Sequence, residues 1–191
     1  MKIWRPKGNF EVLGKRHRKS LISQTFENAD NPKETIDWTL FLGEKKSSLI
    51  FALTDDLEVI LIKQYRFGSS RVEKELAGGN IEEGENAEEA ARRELEEETG
   101  FRPQKMVRLA PKSALWIEPS CFYQGYNFPW LAVDCTKVSN QKLDQNESLD
   151  IELVPLRQWI DYINTGVISD SKTIAMTCLS LLHLDLLKLQ I

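Results

Sequence analysis

Three glutamates, Glu94, Glu97 and Glu98, recur at i, i+3 and i+4 in a segment that reads as a helix. That spacing sets them on one helical face. Carboxylates so close repel one another by roughly a few tenths of a kcal/mol per exposed pair. A divalent cation between them would reverse the penalty, and oxygen-only ligands suit Mg2+ or Mn2+. On these three residues alone a solvated acidic face is the better explanation. The residues around them decide the matter.

The helix that must carry them is predicted over Asn86 to Thr99. Asn86 can cap it, with Glu89 completing a capping-box pair, and Gly100 suits its C-terminal stop. Ala87, Ala91 and Leu95 recur every four residues and form a narrow buried stripe. The segment from Glu82 to Glu98 holds nine acids and two bases. It is therefore far more acidic than the whole chain of 191 residues, whose net charge is −4.

The elements before and after this helix are predicted as strands at Phe10–Leu13, Ser20–Phe26 and Asp37–Leu42, with a polar turn at 28–32. The continuous apolar run Leu49–Leu53 and the run Val59–Ile62 read as a buried hairpin across Asp55-Asp56. Further strands are expected at Met106–Ala110, Trp130–Asp134 and Ile151–Val154. Two helices close the chain, at about 156–164 and from Asp170 to about Leu187. This irregular alternation predicts an α/β (α+β) layered domain with a mixed β-sheet.

Apolar residues make up 41% and charged residues 28% of the chain, ordinary for a globular protein. No apolar stretch approaches the ~18 uncharged residues of a membrane span, and the N-terminus lacks a signal-peptide core. Cys121, Cys135 and Cys178 are odd in number and show no CxxC spacing, which argues against a disulfide framework or a zinc site. A cytoplasmic location with reduced thiols is expected. The basic run Lys15-Arg16-His17-Arg18-Lys19 lacks interleaved aromatics, so a solvated turn is preferred and no nucleic-acid partner is expected. No Ser–His–Asp or Cys–His motif is present.

The acidic helix sits inside a longer pattern. Gly79 is followed after five residues by Glu85, then after seven by Arg93-Glu94-Leu95-Glu96-Glu97-Glu98-Thr99-Gly100-Phe101. Seven identities and two apolar sites at fixed spacing arise by chance at a given position on the order of once in 10⁹. Helical acidic bias cannot supply the two glycines and Arg93. The segment resembles the Nudix box, G-x5-E-x7-R-E-U-x-E-E-x-G-U with U apolar, at every defined position.

The resemblance implies a Nudix-type mixed sheet between helices and Mg2+-dependent hydrolysis (Mn2+ substituting) of a nucleoside diphosphate linked to another group. By position, Glu94 and Glu98 correspond to the main metal ligands and Glu97 to a third. The backbone carbonyl just before the box would be that of Gly78. Arg93 would orient carboxylates. A carboxylate near the attacking water would act as general base, with Glu97 and Glu147 as the candidates; Glu152 lies close to Glu147, and the register between them stays open.

Beyond the box the chain is most similar to the ADP-ribose pyrophosphatase branch. Gln64-Tyr65-Arg66 resembles a segment whose arginine meets substrate phosphate. Glu75-Leu76-Ala77-Gly78-Gly79 resembles the branch's approach to the box, with Ala77 and Gly78 replacing the usual Pro-Ala. Pro119 falls near a Pro-Gly pair of the branch, but Ser120 follows it. Arg66, Glu75 and Pro119 are thus the expected substrate contacts. Asn164–Ile174 resembles the segment leading into the final helix. By the same resemblance, residues 1–45 would be a strand-rich extension that forms a homodimer, and 46–191 the Nudix domain. The expected substrate is ADP-ribose, split to AMP and ribose 5-phosphate, or a related nucleotide sugar. The alternative is a non-catalytic Nudix-like sensor or regulatory module, which a degenerate box would favour.

Overall fold

Strands covered on both faces read as continuous apolar runs rather than as alternations, and residues 49–53 and 59–62 are of that kind. In the computed structural model their side chains divide by parity. Ile50, Ala52 and Ile60 enter one buried cluster; Phe51, Leu53, Val59 and Leu61 enter another. The structure describes residues 1–16, 19–42, 46–110, 114–116, 120–123, 125–145 and 147–187. Among the site expectations, Pro119 lies outside these residues, as do His17 and Arg18 of the basic run.

In chain order the elements are β1 (Trp4–Pro6), β2 (Glu11–Arg16), β3 (Lys19–Asn28), β4 (Asn31–Leu42), β5 (Ser47–Ala52), β6 (Glu58–Arg66), β7 (Arg71–Leu76), β8 (Gly78–Asn80), α1 (Ala87–Thr99), β9 (Phe101–Arg108), β10 (Leu115–Trp116), β11 (Phe122–Tyr123), β12 (Tyr126–Lys137), β13 (Leu149–Pro155), α2 (Leu156–Asn164) and α3 (Ser171–His183). The chain forms two compact units, residues 1–46 with 116–126, and 47–115 with 127–191.

In the first unit β3 and β4 form a long antiparallel hairpin, β1 and β2 both pair with β3, and β11 lies parallel to β4. The tight reversal pairs Asn28 with Asn31, so β4 starts at Asn31, six residues earlier than expected. Ile22 and Leu40 are buried. Gln24 is also buried, and its amide is satisfied by the Lys7 and Thr25 carbonyls. Large apolar side chains also stay exposed, Val12, Ile36 and Trp38 on one face of the sheet, Phe41 on the other, and Leu13 at a register shift in β2.

In the second unit β9, β12, β5 and β8 form a mixed sheet, with β5 parallel to β12 and the other pairs antiparallel. A second, antiparallel sheet has the order β13-β6-β7. The cluster under α1 holds Ala91, Leu95, Phe101, Trp130 and Ala132. The opposite cluster joins Leu131, Val154 and Leu76 to Trp159 of α2 and Met176 of α3. Trp159, fully buried, donates its Nε1–H to the Thr177 hydroxyl at 3.0 Å and meets Phe51 edge-on.

Several expectations change. The hairpin of Leu49–Leu53 with Val59–Ile62 exists only at its tip, through a Leu53–Val59 bridge and a Thr54–Glu58 backbone bond. Beyond the tip β5 turns to β8 and β12 while β6 turns to β7 and β13. β9 starts at Phe101, because Gly100 at φ 70° reverses the chain directly off α1. β7 and β8 were not foreseen, and α3 ends at His183 rather than near Leu187.

Candidate active site

The site is built on α1. Asn86 accepts hydrogen bonds from the Glu88 and Glu89 backbone N–H groups, and the Glu89 carboxylate accepts from Asn86 N–H, closing the capping box. Ala90, Ala91 and Leu95 are fully buried, which fixes the rotation of the helix. Glu94, one turn after Ala90, lies along the flank of that buried stripe, and Glu97 follows it at the stripe's edge.

Arg93 organises these carboxylates. Its Nε and Nη2 grip the Glu85 carboxylate at 2.9 and 3.0 Å, and its Nη1 reaches Glu94 at 2.9 Å and Glu97 at 3.0 Å. A fifth bond, 3.0 Å from Nη2 to the Asn80 carbonyl, ties the helix to the end of β8. One planar, always-charged guanidinium thus offsets three carboxylates. The Arg93 pKa is raised, chiefly by Glu85 and then by Glu97 and Glu94. Glu85 is held below the usual carboxylate range by its hydrogen bonds with Arg93.

Glu98 has no such partner among the described residues. It is 7% exposed, and its Oε2 accepts a 2.8 Å hydrogen bond from the Gly78 backbone N–H. Burial pushes its pKa up to about 8, against the Gly78 bond, with the nearby charges of Glu94 and Glu147 adding to the rise. Glu94 is raised for the same leading reason, burial, with Arg93 opposing and Glu97 and Glu147 reinforcing. The charge of Glu147, from the loop between β12 and β13, therefore reaches both α1 carboxylates. Glu152 is engaged elsewhere, by Lys74 at 2.6 Å.

The glycines before α1 leave room for these carboxylates. A methyl group on Gly79 would overlap the Glu94 carboxylate, and one on Gly78 would strike the Ser48 carbonyl. Across the β6–β7 hairpin Arg66 grips Glu75 through two bonds, Nε at 2.8 Å and Nη2 at 2.5 Å. Glu75 is 8% exposed, so the pair is anchored at its acidic end. The Arg66 pKa is raised by Glu75 first, with smaller contributions from Glu98 and Asp170. Those charges place Arg66 near Glu98 and near the N-cap of α3. A cleft of about 350 Å³ adjoins the pair, lined by Arg66, Arg71, Glu73, Glu75, Ser169 and Lys172 among others.

Sequence reasoning named Glu94, Glu97, Glu98, Arg93, Gly78, Arg66, Glu75 and Glu147, and all fall in this second unit. It did not assign a role to Glu85, although Glu85 stands in the box pattern, nor to Asp170, which caps α3 through Thr173 N–H and hydroxyl.

Residues 44–175 match the NUDIX domain family model. The chain belongs to the Nudix family. It is 30% identical over 125 residues to an ADP-ribose pyrophosphatase of Bacillus subtilis, covering 65% of each chain. It is 30% identical over 126 residues to a methanol dehydrogenase activator of Bacillus methanolicus, covering 65% of this chain and 66% of that one. An ADP compounds hydrolase, NudE, of Escherichia coli is 29% identical over 131 residues, covering 69% and 67%. The match thus spans just under two thirds of the first two relatives' lengths. The crystal structure of an ADP compounds hydrolase shares the fold at TM-score 0.79 and 23% identity, covering 96% of this chain and 97% of that one.

Nudix chemistry calls for a divalent cation. Among the described residues no three His, Cys, Asp or Glu side chains form a ready-made cation cage, because Arg93 draws Glu85, Glu94 and Glu97 to itself. The donor set nevertheless fits one. Glu94 and Glu97 each have one oxygen outside the Arg93 contacts, and Glu98 one outside the Gly78 bond. All are hard oxygens, and the buried Glu98 carboxylate is short of positive charge. Among the described residues no helix is long and apolar enough to cross a membrane.

Proposed function

We propose that the protein hydrolyses a nucleoside diphosphate linked to a second group, with ADP-ribose, split to AMP and ribose 5-phosphate, or a related nucleotide sugar as substrate. Mg2+ is the proposed cation, with Mn2+ able to replace it. The observation that carries this reading is the intact box on α1, in which Glu98 is buried against Gly78 N–H while Glu94 and Glu97 share Arg93. ADP-ribose pyrophosphatases among the relatives support the choice of substrate.

Glu94, Glu98 and Glu97 would hold the cation, with the Gly78 carbonyl as a backbone ligand. When bound, it would polarise a phosphoryl oxygen and offset charge on the departing phosphate. Arg93 positions the carboxylates. Arg66, whose Nη1 lies outside the Glu75 pair, contacts a substrate phosphate, and Glu75 holds the guanidinium in place. Pro119 is a further substrate contact. Glu147 takes the proton of the attacking water as the new P–O bond forms, with Glu97 as the alternative base. The diphosphate P–O bond breaks and each product leaves with one phosphate.

The proposed organisation is a catalytic domain over 46–191 and an N-terminal extension over 1–45 that makes a homodimer in the cytoplasm. The exposed Val12, Ile36 and Trp38, which share one face of the β2–β3–β4 sheet, support a partner surface on the first unit, since exposed apolar patches mark association sites. No nucleic acid partner is proposed. Light scattering at micromolar concentration tests the dimer: a monomer mass rejects it.

Product analysis tests the reaction, with ADP-ribose, ADP-glucose, GDP-mannose and diadenosine polyphosphates as substrates, with and without Mg2+. Metal-dependent AMP release from ADP-ribose is expected. Cleavage of another compound only would reject ADP-ribose; silence across the panel would reject hydrolysis and favour a nucleotide sensor.

A further inference from the structure

A helix leaves its last carbonyls without intrahelical partners, and those of α1 are met by one segment of chain. Glu97 O accepts from Lys142 N–H at 2.8 Å, Thr99 O from the Lys137 ammonium at 2.7 Å, and Gly100 O from Val138 N–H at 2.9 Å. The remaining carbonyl, that of Glu98, accepts from the Gln141 side chain at 2.7 Å. The same Nε2 reaches the Leu149 carbonyl at 3.4 Å. A primary amide has two N–H donors on one nitrogen, so a single group can serve both.

Those two carbonyls are not equivalent neighbours. Glu98 carries the buried carboxylate of the candidate site, and Leu149 opens β13 at the far end of the loop that bears Glu147. Within that loop, Glu147 N–H donates to Asp144 O at 2.9 Å and the Glu147 carboxylate accepts from Asp144 N–H at 3.1 Å. The loop is thus tied locally by its own turn, while Gln141 ties its base to α1. Among the described residues, no other side chain bonds both α1 and β13.

We propose that Gln141 is a positioning residue, which sets the place of Glu147 against the α1 carboxylates by bridging the Glu98 and Leu149 carbonyls. The proposal rests on the reading of Glu147 as the general base. Losing the bridge would displace a proton-accepting group without touching substrate, and small misplacements of a reacting group are expensive in rate. Gln141 should therefore act on kcat and leave KM nearly unchanged.

The test is a double-mutant cycle on Mg2+-dependent ADP-ribose hydrolysis, comparing wild type, Gln141→Ala, Glu147→Gln and the double variant. Gln141→Ala is expected to lower kcat about tenfold or more with KM little changed, and to have no further effect in the Glu147→Gln background. Gln141→Lys, which keeps donors for both carbonyls, is expected to retain most of the activity, whereas Gln141→Glu, isosteric but without donors, is expected to lose it. The Lys and Glu variants carry the test if the alanine variant fails to fold. Additive losses in the double variant, or wild-type kcat in both Gln141→Ala and Gln141→Glu, overturn the proposal while leaving Glu147 in place. Wild-type kcat in Glu147→Gln overturns the general-base reading itself, and the bridge's role falls with it.

Discussion

Glu85 and Glu98 bracket the same acidic segment, yet the fold treats them in opposite ways. Glu85 is met by two N–H groups of Arg93 and sits below the usual carboxylate range. Glu98 is buried, takes one backbone hydrogen bond, and is pushed up to about 8. One carboxylate is neutralised by the protein; the other is left for something positive to neutralise. On the proposed function, the difference separates the part of the box that holds the structure from the part that would do chemistry.

The largest effect should fall on the unneutralised side. Glu98→Gln removes the charge proposed to hold the cation and keeps the shape, and is expected to lower kcat by on the order of 10²–10³-fold, the cost of losing one group that stabilises developing charge. Steady-state kinetics at saturating Mg2+ checks it. The neutralised side should respond in stability. Arg93→Ala leaves Glu85 and Glu94, only 15% and 16% exposed at the side chain, without their cation. A loss of about 2–3 kcal/mol is expected in urea unfolding, below the range for a fully buried pair because the site is partly solvated.

The pH dependence sharpens the same contrast. The folded Glu98 value of about 8 lies above its ordinary value of 4.5. Between those limits the folded protein keeps a proton that the unfolded chain has released, so stability falls as pH rises from about 5 to 8. Glu85 runs the other way: its lowered value contributes stability above its ordinary range that is lost on acidification. Without metal, the thermal midpoint of Glu98→Gln should gain on wild type as pH rises from 5 to 8, and Mg2+ should raise the wild-type midpoint at pH 8. A constant difference across that range contradicts the burial of an uncompensated carboxylate. The smallest effect is at the helix start, where Asn86→Ala should cost about 1 kcal/mol through the lost cap.

The box helix was legible in the sequence because its chemistry fixes both residue type and spacing, and because Asn86, Glu89 and Gly100 mark its ends. The strands beneath it were legible from apolar runs. Less could be read where the cause is long-range. Arg71–Leu76 is rich in charge and carries no strand signal, yet it pairs with β6 and brings Glu75 to Arg66. Each member of that pair was visible as a motif residue; the pairing was not. Residues 116–126 join the first unit, and nothing local connects them to it. Gln141 gave no signal at all, being a polar residue in a polar loop whose role depends on two carbonyls brought together by the fold.

The most direct measurement is a side-by-side comparison of Glu85→Gln and Glu98→Gln, with Mg2+-dependent ADP-ribose hydrolysis and thermal unfolding followed on the same samples. The account predicts that Glu98→Gln folds and loses its metal-dependent turnover, while Glu85→Gln melts lower and keeps most of its activity per folded molecule. Full activity in Glu98→Gln would contradict it.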